Sequence, residues 1–287
     1  MREDPFTGKM PCGPAGRGCG GGRCQTEAMD HLDGAPLSLA DLKALALTNF
    51  GHFTSLRVDD GRTKGLPLHL DRLVHDCRTV FDAELDRARI REAIRQAASG
   101  QTGSYVVRVT VFDPQLGVAS PGADAQPHLL ATCRPVPRSC PPLRVATRAY
   151  QRDLPEVKHV GLFGQLAVRR AAQRAGFDDA LFTEPGTGAF SEGGTWNVGF
   201  IDDRDRVIWP QARVLPGVTM RLLQDVHPSG TRPVTPADLP TLRTAFATNT
   251  AIGVRPLSAI DDQPLDPDHP VLAELRRRYE DIPSDAV

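Results

Sequence analysis

The sequence predicts an α+β protein of two domains, and three observations carry that prediction. Segments that alternate apolar and polar residues with period two recur on both sides of a proline-rich stretch. Segments with an apolar residue every three to four positions lie between them. The stretch Arg134–Pro142 itself holds four prolines and no periodicity, as a domain linker does.

Residues 1–28 are rich in Gly, Pro and Cys and poor in large apolar side chains, so a disordered tail is expected there. Met29 reads as an alternative start. Residues 29–137 then make a small N-terminal α/β domain, and residues 138–287 a larger C-terminal one. Ser38-Leu-Ala-Asp41 forms a capping box pattern, with Asp41 in place of the usual Glu, opening a short helix through Ala46. His52–Val58 alternates as a strand and stops at the turn signal Asp59-Asp60-Gly61. Leu70, Leu73, Val74, Cys77 and Phe81 give residues 68–81 the helical period, and a second helix follows over 86–98. Strands are expected at 104–112 and 129–133, separated by a Pro/Gly-rich loop. Beyond the linker, residues 143–148 read as a strand and 161–175 as a helix ended by Gly176. Strands at 179–183, 197–202 and 206–209, a helix from about Gly217, and strand and loop over 244–256 complete the pattern.

Lys plus Arg number 34 and Asp plus Glu 35, so no global charge favours nucleic acid or an anionic membrane. The basic runs Arg169-Arg170 and Arg276–Arg278 fall in helical patterns and read as solvated faces. No apolar run approaches the roughly 20 residues that span a bilayer, and the N-terminal stretch lacks the apolar core of a signal peptide. The cytoplasm is the expected compartment. The six cysteines lack paired metal-ligand spacing and read as reduced thiols, with no metal expected.

Lys158, in Pro155-Glu-Val-Lys158-His159, stands where a loop gives way to a helical pattern. A solvated surface lysine is the ordinary reading of such a place. A partly desolvated ε-amine, however, loses its proton more easily, condenses with aldehydes and shuttles protons. Arg72, in His69-Leu-Asp-Arg-Leu73, presents a planar fork of donors to a phosphate, or pairs with Asp71 or Asp76. Leu215-Pro-Gly-Val-Thr219 opens a helix whose first amides, with the Thr219 hydroxyl, suit an anion. Thr248-Asn-Thr-Ala251 is either a further cluster of polar contacts or a plain turn. Glu192 lies beside two glycines that allow close backbone approach, where it binds a ligand or merely caps a turn.

Read in order, these segments resemble the class IV aminotransferase family, which includes branched-chain and D-amino acid aminotransferases and aminodeoxychorismate lyase. The resemblance runs from about Asn49 to Asp261. It rests on PEVKHVG, GFDDALF, FSEGGTWNVGF, WP and LPGVT, with FTSLRVDDG and HLDRL before them and ATNTAIGVRPLSAID after. It implies the fold-type-IV architecture, two α/β domains of the D-amino acid aminotransferase-like kind with pyridoxal 5′-phosphate (PLP) between them. It implies a homodimer with active sites near the subunit interface. It further implies that Lys158 binds the cofactor covalently, that Glu192 partners its pyridine nitrogen, and that Arg72, Val218, Thr219 and Thr250 hold its phosphate. Branched-chain members carry a tyrosine five residues after the lysine, where this chain has Phe163, so a hydrogen bond to the cofactor's phenolic oxygen is missing or supplied elsewhere. The arginine–histidine pair of the D-amino acid enzymes has no counterpart in residues 113–126. Arg108 and Phe53 are the candidates on the substrate side.

Transamination between an amino acid and a 2-keto acid is the function expected. A PLP-dependent lyase of the 4-amino-4-deoxychorismate type is the alternative; FTSLRVDDG is closest to that branch, with Thr54 as the candidate for proton delivery. A third reading, a non-catalytic PLP-fold binding protein, is opposed by the intact set Lys158, Glu192 and Arg72.

Overall fold

The structure is a computed structural model that describes residues 31–137 and 139–287. The expected tail over 1–28, with Cys12, Cys19 and Cys24, lies outside the described residues. The first half runs β1 (His31–Leu32), β2 (Ala35–Pro36), α1 (Leu39–Thr48), β3 (His52–Asp59), β4 (Arg62–Lys64), α2 (Leu66–Phe81), α3 (Arg87–Ala98), β5 (Ser104–Phe112) and β6 (His128–Pro135). The second half begins β7 (Leu143–Ala149), α4 (Phe163–Arg174), β8 (Asp179–Thr183), β9 (Phe190–Gly193), β10 (Asn197–Asp202), β11 (Val207–Pro210) and α5 (Val218–Val226). It ends β12 (Ser229–Arg232), a 3-10 turn (Pro236–Thr241), β13 (Leu242–Asn249), β14 (Gly253–Ile260), β15 (Gln263–Pro264), α6 (Pro270–Glu280) and β16 (Ser284–Ala286).

Local chemistry accounts for the helices. The capping box forms as expected, Ser38 and Asp41 bonding each other's backbone, and Asn49 ends α1 in the left-handed region. In α2, Pro67 occupies the first turn, and Leu66, Leu70, Leu73, Val74, Cys77 and Phe81 form its buried face. Asp86 caps α3 by accepting from the Ala88 amide at 2.9 Å. None of the helices in the described residues is long and apolar enough to cross a membrane.

The strands form two sheets. The first has the order β16-β4-β3-β5-β6-β1-β2. On one of its faces Leu56, Val58, Val107 and Val109 pack against Leu70 and Leu73 of α2 and Ile90 and Ile94 of α3. The register pairs Phe53 with Thr110 and Ser55 with Arg108, so these four residues share the opposite face. The second sheet has the order β12-β11-β10-β13-β14-β7-β8-β9 and closes on itself where β9 pairs back to β10. That closure is the residue pair Glu192–Asn197.

The structure departs from the sequence reading in three places. Short strands such as β4, β9 and β12 carry too few residues to show a period, and β9 places Glu192 in a sheet instead of a turn. Lys158 does not open a helix: α4 starts only at Phe163, and Lys158 lies in an extended segment before it. The chain's last strand, β16, returns to pair with β4 in the first sheet, so residues 284–286 leave the half to which their position assigns them.

That return has a use. Helix α2 begins at Gly65, at φ +66° and without a side-chain cap of its own. The Leu66 amide instead donates to Asp285 Oδ2 at 3.2 Å, so β16 caps the helix from the far end of the chain. Asp285→Ala should therefore cost ~1 kcal/mol and lower the thermal midpoint by about 2–4 °C in a melting scan. An unchanged midpoint would show that solvent satisfies the helix end equally well.

Candidate active site

Lys158 is held through its backbone. Its N–H donates to Asp76 Oδ2 of α2 at 3.0 Å, and its carbonyl accepts from the Phe53 amide of β3 at 2.9 Å. The Val160 amide donates to Gly51 O at 2.9 Å, extending the contact to the strand's approach. On the other side Arg152 braces the same segment, donating to Pro155 O at 3.1 Å and Val157 O at 2.7 Å. The Lys158 Nζ lies 4.9 Å from the centre of the Phe53 ring, and the Arg108 guanidinium stacks over that ring at 3.7 Å.

The residue keeps some accessible surface, yet protein crowds the amine from nearly every side. Crowding removes the water that would stabilise an ammonium, and Arg72 and Arg152 repel it further; together they bring the pKa down to about 7. Half of the amines are then neutral at neutral pH.

Glu192 is buried, at 5% exposure. Its Oε1 accepts from Arg152 at 3.3 Å and its Oε2 from the Leu215 amide at 3.2 Å. Burial raises the pKa of this carboxyl, while Arg152 and the amide pull it part of the way back. A carboxylate made more basic yet kept paired suits a partner that shares a proton with a ring nitrogen. Across the seam, Asn197 donates to Leu215 O at 2.8 Å and so fixes the turn that leads into α5. A Cβ on Gly217 would meet Asn197 Oδ1 at 2.0 Å, so only glycine lets that turn pass.

The N-terminus of α5 has no side-chain cap, although Val218 and Thr219 are buried. Beside it stands Arg72, which donates to Pro216 O and has no salt-bridge partner among the described residues. Desolvation draws its pKa down to about 10. An uncapped helix end and a crowded guanidinium whose charge Asp76 offsets only from a distance both favour an anion. Thr250 lies half-buried in the turn after β13, which Asn249 builds by accepting from the Ala251 amide at 2.9 Å. These residues fit PLP: an amine for its aldehyde, a carboxylate for its ring nitrogen, and a cationic pocket for its phosphate.

Thr54 lands elsewhere. It lies on the helix-facing side of β3, fully buried, and bonds His69 Nδ1 of α2 at 2.8 Å. Burial pushes that imidazole down to about 3, so it is neutral. Ser55 is the hydroxyl that shares a face with Phe53 and Arg108. Arg152 escaped the sequence reading, and Asp76 entered it only as a candidate ion-pair partner of Arg72. Asp76 stands four residues after Arg72, one turn along the same helix face, a signal that was available. Arg152 is in a segment without period and gives none.

Comparison with known proteins agrees with this geometry. Residues 51–260 match the family model described as amino-transferase class IV. The chain belongs to the class IV aminotransferase family. No curated protein matches it significantly. Among solved structures, a T.th. branched-chain amino acid aminotransferase complexed with N-(5′-phosphopyridoxyl)-L-glutamate aligns with a TM-score of 0.76 at 20% identity, covering 89% of this chain and 94% of that one. The branched-chain aminotransferase of Thermoproteus uzoniensis with norvaline gives 0.78 at 19%, covering 88% and 93%. A hypothetical aminotransferase from Mycobacterium tuberculosis in PLP-bound form gives 0.74 at 21%, covering 88% and 98%. The class IV fold is thus shared across most of the chain's length.

Two outcomes follow from the electrostatics. Capture of PLP by the apoprotein should accelerate with pH around a midpoint near 7, because the neutral amine is the nucleophile. Stopped-flow absorbance reads this directly, and a midpoint above about 9 would mean the amine is not desolvated. Arg72→Gln should weaken PLP binding by about 10–100-fold in an absorbance titration, the loss of a charge-assisted contact. A change below about threefold would remove Arg72 from the phosphate site.

Proposed function

We propose that this class IV protein transfers an amino group between an amino acid and a 2-keto acid, with PLP held on Lys158. One observation carries the reading: the near-neutral amine of Lys158 lies among the Glu192–Arg152 pair and the Arg72 phosphate corner, where the two sheet units meet. Bound there, PLP would supply an electron sink for a carbanion at the substrate's Cα.

The chain's own residues then have separate tasks. The Nζ of Lys158, free of its proton, takes the one on Cα and gives it up again once the charge has moved. Glu192 keeps the ring nitrogen protonated, and Arg152 keeps Glu192 in place. Arg72, the Val218 and Thr219 amides, and Thr250 hold the phosphate. Arg108, oriented by Thr110 at 3.1 Å and by the Phe53 ring, takes the substrate carboxylate. The glutamate and norvaline in two structural neighbours make acidic and aliphatic amino acids the first donors to try.

A lyase outcome is the second reading, and one observation favours it. The segment FTSLRVDDG, whose strand meets the Lys158 backbone, resembles the lyase branch most closely, whereas Phe163, 84% exposed, stands where D-amino acid and lyase members alike lack the branched-chain tyrosine. Phe163 and Leu166 at the start of α4 and Leu154 before Lys158 are all exposed apolar side chains. A second copy of the chain covering them accounts for this exposure, as a homodimer requires.

The decisive measurement incubates holoenzyme with a donor panel and follows the cofactor's visible absorbance. Transamination predicts that at least one donor bleaches the band and that a keto acid restores it. Pyruvate released without any acceptor would assign the lyase instead. If no donor acts at all, and Lys158→Ala remains as coloured as the parent, both readings fail.

A further inference from the structure

Three contacts hold the backbone around Lys158 to the first sheet unit, and two of them join backbone to backbone. The third is the Asp76 carboxylate, buried at 1% exposure, accepting the lysine's own N–H at 3.0 Å. Asp76 is therefore, among the described residues, the one side chain of that unit hydrogen-bonded to the lysine's backbone. It extends a polar stripe on α2: His69 reaches β3, Arg72 reaches the turn before α5, and Asp76 reaches Lys158.

A lysine that exchanges a covalent bond for a proton-transfer role must swing its side chain while its Cα stays still. Displacement of the backbone by an ångström moves Nζ by as much and spoils its approach to Cα. Burying a carboxylate is unfavourable, and here burial raises the pKa of Asp76 against the opposing pull of Arg72. Part of that cost is offset by Arg72, whose guanidinium faces the same carboxylate. A leucine here would leave the Lys158 N–H without its acceptor.

We propose that Asp76 is a positioning residue for Lys158, holding the lysine's backbone amide so that its amine stays aligned with the cofactor and the substrate. The inference rests on the reading of Lys158 as the PLP lysine. It assigns Asp76 no contact with substrate and no proton transfer.

The test compares Asp76→Ala with Asp76→Asn in holoenzyme. Asparagine loses the charge but keeps an oxygen that accepts the N–H. In Asp76→Ala the Lys158 amide should exchange its hydrogen about 10–100-fold faster, and the donor half-reaction should slow by a similar factor with little change in donor KM. Asp76→Asn should stay within about threefold on both measures. Should the alanine variant fail to fold, Asp76→Glu, which displaces the acceptor by one methylene, takes its place with the same expected loss. Equal losses in the asparagine and alanine variants would overturn the proposal, since charge alone would then be the operative property. An unchanged amide exchange rate in Asp76→Ala would overturn it as well. If the wild type processes no donor, transamination fails, while amide exchange still judges Asp76.

Discussion

A surplus of positive charge where the two sheet units meet governs this molecule. Arg72, Arg152 and Arg108 all lower the pKa of Lys158, and Glu192 and Asp76 offset them only in part. In water such charges would be screened within about 10 Å; in a crowded interior they are screened several-fold less. Two consequences follow with one cause. The lysine gives up its proton near neutrality, which makes it a nucleophile and a base. The site as a whole favours an anion, and a phosphate ester bound as proposed would meet that charge at the corner formed by Arg72 and α5. The same surplus couples binding to stability: whatever neutralises it binds the folded chain alone and raises its stability by mass action.

Charge alone would not place the amine, and here the two sheets divide the work. The second sheet supplies Glu192 at its own closure seam, so the carboxylate sits where the strands leave least freedom. It also supplies the turn into α5, fixed by Asn197 on the adjacent strand. The first sheet contributes no covalent chemistry. It presents β3 and α2 to the lysine's backbone and the face bearing Phe53, Ser55 and Arg108 to the space beyond. Even the chain's end serves this arrangement, since β16 caps the helix that carries Arg72 and Asp76.

How much of this was legible follows from what kind of signal each part leaves. Long elements with a complete period, such as α2 and β5, appear in the sequence almost residue for residue, because one face is buried along their whole length. The two- to four-residue strands do not, since their pairing is decided by distant neighbours. Lys158, Glu192 and Arg72 were singled out through motif order, and the fold brings the three charges within reach of one another. Arg152 was not, because its work is to satisfy carbonyls and one carboxylate that meet only in the folded chain. Thr54 shows a subtler limit. The strand was correctly read, but which of two adjacent hydroxyls faces the site is a question of parity. Leu56 and Val58 carry Thr54 with them to the helix side.

Parity also bears on what distinguishes one class IV enzyme from another. In the proposed roles Lys158, Glu192 and Arg72 would serve the cofactor alone and would be indifferent to what the substrate carries beyond Cα. Any group that chooses between reprotonation and loss of a leaving group must stand on the substrate's side of the ring. In this fold that side is the open face of the first sheet, where Phe53 and Thr110, then Ser55 and Arg108, form successive cross-strand rows. Arg108 there has no carboxylate partner among the described residues, only Thr110 and an aromatic ring. A half-buried guanidinium held so loosely by neutral groups has its strongest available partner in an incoming carboxylate. With the proposed roles, substrate orientation would come from one sheet and bond activation from the other, so the outcome would change through a few strand positions while the cofactor site stays as it is.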